Sequence, residues 1–308
     1  MAGIRNIFKP AAGTRPGLAC EIRSEGVIAG RASTEKRRAG EIVLAFAPLP
    51  ENALNPGLKV PNLNDATAVT SALEEALNAT SARDRDVALI IPDAAARVLL
   101  LDFDTLPPKR QDALPVVRFR LRKMVPFEVD TAAVSYQVMS QKPGRISVLV
   151  AVMPIDVRAE YERAVHDAGY EPGAVLPSTL AAAAALSPEG ASLLINHGRN
   201  SVTTVVTQDK EMVLHRTVDL PPEAAAREEE MAQAVITTLA WYEDTLRATP
   251  GRLYYAGPGG ERAARESQWL RFVDPAPPIE EVSAPVRIST LTSVPAGLAA
   301  GVTGALTQ

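Results

Sequence analysis

The sequence predicts an α/β protein made of two related halves. Two blocks of the chain repeat one order of elements: apolar, strand-like runs joined by short turns, then amphipathic helices, then a further strand. The blocks meet near the Leu-Ser-Pro-Glu-Gly turn of 186–190, where the periodic pattern breaks. A chain of 308 residues, 46% hydrophobic and 22% charged, is long and apolar enough for about two domains with proper cores.

Taken in order, 17–33 alternates loosely and 40–50 is apolar and strand-like. The basic, turn-like 31–40 between them makes the pair an edge hairpin. A helix is expected over 62–79, capped by Asn64 or Asp65, with Val69, Ala72, Leu73, Ala76 and Leu77 on its inner face. A buried strand at 86–93 stops at Pro92, and 97–103 is another strand. The stretch 107–130 is ambiguous. Its 117–122 run alternates like a strand, Val117, Leu121 and Met124 form a helical stripe, and Pro115 should break or kink any helix through it. Strands follow at 131–140 and 146–154. Then comes a helix capped by Asp156 and stopped by Gly169, and an Ala-rich helix begun by Ser178.

The second block opens at 192–206, which reads strand, tight turn (His197-Gly198-Arg199-Asn200), strand. A hairpin of this kind ending in Ser or Thr, here Ser201 and Thr203, holds a phosphate through inward-pointing backbone N–H groups. The alternative is an ordinary hairpin with Gly198 at positive φ. Hydrolytic hairpins of this type end their first strand in an Asp aimed at magnesium, and Asn196 stands there instead. A third strand at 212–221 leads to a long helix from Pro221-Pro222, buried along Met231, Val235, Leu239, Tyr242 and Leu246. The strand before Gly257, Gly259 and Gly260 opens into a glycine turn that either edges an adenine or merely ends the strand. From 258 onward the chain reads as irregular and Pro-rich, with an Ala/Gly-rich end.

Composition excludes several classes. A net charge of −4 gives no bulk attraction to nucleic acid. One cysteine, Cys20, precludes an intramolecular disulfide and suits a reducing compartment; it reads as a small core residue. His166, His197 and His215 lack ligand spacing, so no zinc site is expected. The first ten residues lack the apolar run of a signal peptide, and the Ala-rich 178–186 is too short to cross a bilayer.

The chain as a whole resembles the PilM family of type IV pilus assembly proteins, which have an actin-like fold. The stretch "LPPKRQDALPVVRFRLRKMVPFEVDTAAVSYQV" is similar to the family's helix, its Pro-Phe-acid step (Pro126, Phe127, Glu128) and its strand with Tyr136. "VLVAVMPIDVRAEYERAVHDAGYEPGAVLPSTLAAAAAL" resembles its strand, helix and Ala-rich helix. "SLLINHGRNSVTTVV" falls at its second phosphate hairpin, "RLYYAGPGG" at its adenosine turn and "PAGLAAG" at its Gly-Leu-Ala ending. The resemblance implies an actin-like ATPase fold of two RNase H-like lobes: 1–187 with a subdomain inserted at about 86–150, then 188–308, whose last segment returns to the first.

It also implies a cleft for ATP with magnesium, formed by Glu21, Arg23 and Ser24 on the first hairpin, Asn196, Gly198, Arg199, Ser201 and Thr203 on the second, and Gly257, Gly259 and Gly260 at the adenosine turn. Here the chain departs from the family. Where the family has Asp and then Gly, this chain has Glu21 and Arg23; Asn196 replaces the second Asp, and Pro258 enters the adenosine turn. Asn supplies no charge to hydrated magnesium, and no acid near these loops is placed to orient an attacking water. The expectation is a degraded nucleotide site on a cytoplasmic scaffold peripheral to the inner membrane. The resemblance implies that its partner is the extended, mostly apolar N-terminal tail of a PilN-like membrane protein, alongside other pilus components and self-association, with membrane contact only through the partner. The groove is expected at Arg118, Arg122, Val125, Phe127, Val150 and Val152. The basic cluster of Lys109, Arg110, Arg118, Arg120, Arg122 and Lys123, opposed by Asp112, reads either as a solvated face or as a docking surface for an acidic partner or anionic lipid. Two other readings are a nucleotide-switched ATPase of the same fold and a relative of GspL from type II secretion. The GspL family continues into a transmembrane helix that is absent before Gln308.

Overall fold

The computed structural model describes residues 16–33, 40–186, 189–209, 211–282 and 287–307. β1 (Leu18–Arg23) folds back into β2 (Gly26–Ala32), which pairs antiparallel with β3 (Glu41–Pro48). The 17–33 stretch is therefore a hairpin in itself, and it lies inside the sheet rather than at its edge. α1 (Ala66–Ala79) follows; Asp65 caps it by accepting the Ala68 N–H at 2.9 Å, and Val69, Ala72, Leu73, Ala76 and Leu77 are its buried face. β4 (Asp86–Ile91) then runs parallel to β1.

From β4 the chain makes an excursion through β5 (Arg97–Phe103), α2 (Arg110–Leu121), β6 (Ala133–Lys142) and β7 (Arg145–Met153). These strands form their own antiparallel sheet in the order β5-β7-β6. α2 runs through Pro115 because Ala113, Val117 and Leu121 bury a stripe on that sheet, which outweighs one missing backbone bond. α3 (Ile155–Asp167) returns the chain and stops at Gly169, whose φ of +81° suits a residue without Cβ. Pro154 holds the capping position, and Asp156 lies in the first turn. β8 (Glu171–Pro177) then pairs parallel with β4 and, among the described residues, leaves its other side unpaired. Its Pro172 and Gly173 hide it from a propensity reading, yet an open edge is where a strand tolerates them.

The second half repeats the plan. After α4 (Ser178–Ala183) come β9 (Ala191–His197), β10 (Ser201–Gln208), β11 (Glu211–Asp219), α5 (Ala224–Leu246), β12 (Leu253–Ala256), α6 (Gly260–Glu266) and β13 (Ile279–Glu281). The sheet order is β11-β10-β9-β12-β13, which matches β3-β2-β1-β4-β8 strand for strand. β14 (Arg287–Thr290) crosses back to pair with β3, and α7 (Ala300–Leu306) ends the described chain. The segment from 258 is thus structured, in pieces of three to seven residues too short to show a period. No helix among the described residues is long and apolar enough to cross a membrane.

Strand alternation decides what faces the middle of the molecule. Leu18, Cys20 and Ile22 of β1 pack toward α1 and α3, with Val69, Leu73, Val157 and Tyr161. Ala19 points the other way, into the layer of Ala181 from α4 and Val302 from α7. Burying Val302 contributes about 1.5–3 kcal/mol. α7 crosses α4 so closely that a Cβ on Gly304 would collide with the Ala181 carbonyl. Gly304→Val is expected to destabilise the chain by roughly 1–3 kcal/mol. Gly17→Ala, with open space around it, should change stability by less than about 0.5 kcal/mol. Urea unfolding midpoints of the two variants check this.

Candidate functional site

Between the two halves lies a closed polar cluster. On β1, alternation puts Glu21 and Arg23 on the side of Ala19, facing α4 and α7. On β9 it puts Asn196 on the side of Leu194, facing α4, while Leu193 and Ile195 pack on α5. Asp93 comes from the single 3₁₀ turn after β4 (Asp93–Ala95), and Ser178 and Thr179 open α4. All six side chains belong to residues no more than 8% exposed.

Hydrogen bonds link these side chains to one another, while Glu21 Oε2, Arg23 Nε and Asn196 Oδ1 are buried without a hydrogen-bond partner. Arg23 Nη1 donates to Glu21 Oε1 at 2.9 Å, and Ser178 Oγ donates to the same oxygen at 2.6 Å. Arg23 Nη2 crosses to the second half and donates to the His197 carbonyl at 2.9 Å. Asp93 accepts from Thr179 twice, through the backbone N–H at 3.0 Å and through the hydroxyl. Asn196 Nδ2 lies 3.0 Å from Asp93 Oδ2, 2.8 Å from Thr179 Oγ1 and 3.0 Å from Ser178 Oγ. That geometry explains the residue: the amide donates to the Asp93 carboxylate, whereas an Asp here would set a second buried carboxylate against the first. Burial pushes the Glu21 carboxyl up, while the Arg23 guanidinium and the Ser178 hydroxyl pull it back. Burial also opposes the charge on Arg23, but Glu21 and Glu25 outweigh it and raise its pKa.

The sequence-predicted residues divide cleanly. Glu21, Arg23, Ser24, Asn196, Gly198, Arg199 and Ser201 do come together, around a cavity of about 30 Å³. That holds a water or two, against roughly 300–1,000 Å³ for ligand pockets. Thr203 is not there; it is buried within the second sheet, its hydroxyl 3.0 Å from that of Thr217. Gly257, Gly259 and Gly260 are also elsewhere. Gly257 N–H donates to the Gly297 carbonyl at 3.0 Å, and Ala296 and Gly297 crowd Gly260, so the chain's own segment fills the glycine turn. Gly198 is not among the positive-φ residues; its N–H closes the turn on the Ser201 carbonyl at 2.9 Å. Asp93, Ser178 and Thr179 escaped the sequence reading, which left Asp93 at the end of a strand stopped by Pro92 and made Ser178 a helix start 85 residues further on. A wider opening of about 1010 Å³ adjoins the cluster, but its arginines are engaged: Arg97 with Asp219, Arg199 with Asn52 and Glu51, Arg227 with backbone carbonyls.

These residues do not fit magnesium nucleotide. Glu21 Oε1 is taken by Arg23 and Ser178, and Oε2 abuts Gly301, where a Cβ would collide with the carboxylate. The Arg23 guanidinium spans from the first hairpin to the His197 carbonyl of the second. Among the described residues no three His, Cys, Asp or Glu side chains are grouped to hold a metal ion.

A second concavity, about 450 Å³, lies between β6 of the small sheet and β8 of the first sheet. Among the described residues both strands pair on one side only, so each is an edge strand beside it. Ala133, Val134, Val152, Ala174 and Val175 line it, with Arg118, Arg158 and Glu162 at its polar margin. Of the expected groove residues, Arg118 and Val152 are here. Val150 is fully buried in the small sheet's core, and Val125 and Phe127 pack against that core. Arg122 pairs with Asp130 at 2.9 Å on the surface. Arg118 itself is held by the carbonyls of Val129 and Ala132.

His215 on β11 stands near Asp93, both ring nitrogens buried without a partner. Burial pushes its pKa down from 6.5 to about 4, the Asp93 charge opposing. The unfolded chain therefore takes up a proton below about pH 6.5 that the folded chain refuses until about pH 4, so stability falls as pH drops across that window. His215→Phe should be at least as stable as the native chain at pH 8 and lose less on acidification. Unfolding curves at stepped pH read both.

No protein-family model matches the sequence, and no curated protein matches it. Solved structures do match. A chain of the PilM–PilN type IV pilus biogenesis complex superposes with a TM-score of 0.70 at 18% identity, over 90% of this chain and 91% of that one. The cytoplasmic domain of EpsL, an inner-membrane component of the type II secretion system of Vibrio cholerae, superposes with a TM-score of 0.51 at 15% identity, over 94% of each. With the strand order repeated in both sheets, the fold is the actin-like ATPase fold.

Proposed function

We propose that this chain is a non-hydrolysing, actin-like scaffold of a type IV pilus assembly machine, working at the cytoplasmic face of the inner membrane. It captures the extended N-terminal tail of a PilN-like membrane protein. The observation that carries the reading is the pairing of a self-bonded polar cluster between the lobes with a groove flanked by two strands that, among the described residues, pair on one side only. An extended apolar tail adds backbone hydrogen bonds to such an edge and sets alternate side chains into the groove. The likeness to a chain of the PilM–PilN complex supports the choice of machine and partner. ATP and magnesium have no part in this reading, because Arg23 and Glu21 neutralise each other where phosphate and cation would sit.

A fluorescent PilN-type N-terminal peptide tests it. Anisotropy should show binding at tens of micromolar or tighter, about −6 kcal/mol, unchanged by Mg-ATP. Ala174→Glu or Val134→Glu, each placing a charge in the groove, should weaken it at least about tenfold, roughly 1.4 kcal/mol. Absence of binding at about 100 μM, or binding indifferent to both substitutions, would overturn the assignment.

A further inference from the structure

We propose that the outer face of α2 is a docking surface for an anionic lipid bilayer, a direct membrane contact separate from the tail-binding groove. α2 seats Ala113, Val117 and Leu121 on the small sheet. Its opposite side carries Val116 at 38% and Phe119 at 73% exposure, and Met124 at 46% lies in the turn that follows. Val116 and Phe119 are three apart and so adjacent on the helix surface. Most of the chain's large hydrophobic side chains are inside; here three stand out together.

Charge supplies the complement. The whole chain is net −4, yet 109–123 holds six cations, Lys109, Arg110, Arg118, Arg120, Arg122 and Lys123, against Asp112 alone. Three of the six are occupied: Arg118 by backbone carbonyls, Arg122 by Asp130 and Arg110 over the Tyr136 ring. Lys109, Arg120 and Lys123 have no ion-pair partner among the described residues. Lys123 lies one turn from Phe119, and Arg120 is its neighbour in the chain.

The shape decides between occupants. A peptide is gripped by a concavity, and Val116, Phe119 and Met124 line none of the concavities described above; Phe119 is 73% exposed. A fluid anionic surface suits it: the ring enters the headgroup–acyl boundary while the flanking cations meet the phosphates and their stems cover the apolar rim.

Co-sedimentation of the full chain with vesicles tests the proposal. Binding is expected to vesicles with about 30% phosphatidylglycerol in phosphatidylcholine, not to pure phosphatidylcholine, and should weaken as salt rises. Phe119→Glu, and separately the pair Arg120→Glu with Lys123→Glu, should each lower the partition coefficient at least about tenfold. Phe119→Leu should retain most of the binding. All are surface changes, and the PilN-type peptide should bind every variant as it binds the native chain, so the two proposals fail independently. The proposal is overturned by no binding to the anionic vesicles or by binding that ignores these substitutions. It is overturned equally if the native chain captures a soluble acidic peptide but no vesicles, or is a dimer without lipid that Phe119→Glu turns into a monomer.

Discussion

One guanidinium holds the account together. Arg23 leaves the end of β1 and bonds Glu21 of its own strand and the His197 carbonyl of the opposite half. Taking an arginine out of water is expensive, and it is stable only where acceptors replace the lost solvent. Glu21 and His197 provide them, and Ser178, Thr179, Asp93 and Asn196 complete the ring around them. Between the halves these side chains form a buried network of their own, beside the wider opening.

Much of the scaffold was legible in the sequence because it rests on local periodicity. The buried face of α1 and the run of Met231, Val235 and Tyr242 on α5 follow from a 3.6-residue repeat. Pieces too short to show a period, such as β13, β14 and α7, were not visible, and β8 was masked by the prolines and glycine that an edge strand tolerates. α2 went the other way: Pro115 argued against a helix, and the tertiary stripe beneath it prevailed.

The site was legible in part, for a physical reason. Glu21, Arg23 and Asn196 stood out as departures from a phosphate-binding pattern. What those departures are for lies in partners far along the chain: Asn196 makes sense only once Asp93 is 3.0 Å away. Nor could sequence show that Val150 and Val152, both buried in the small sheet's core, differ in that only Val152 also borders the groove, since that depends on how β7 sits between its neighbours. Under the proposed function, the polar cluster between the halves serves rigidity, and the β6–β8 groove and the outer face of α2 are the surfaces that meet other molecules.

Thermal unfolding with and without Mg-ATP at about 5 mM measures the sealed crevice most directly. The account predicts superimposable curves, because Arg23 and Asn196 would have to abandon buried partners before a triphosphate could enter. A saturable rise in stability, approaching roughly 2.7 kcal/mol when ligand reaches about 100 times its dissociation constant, would show a working nucleotide site and contradict it.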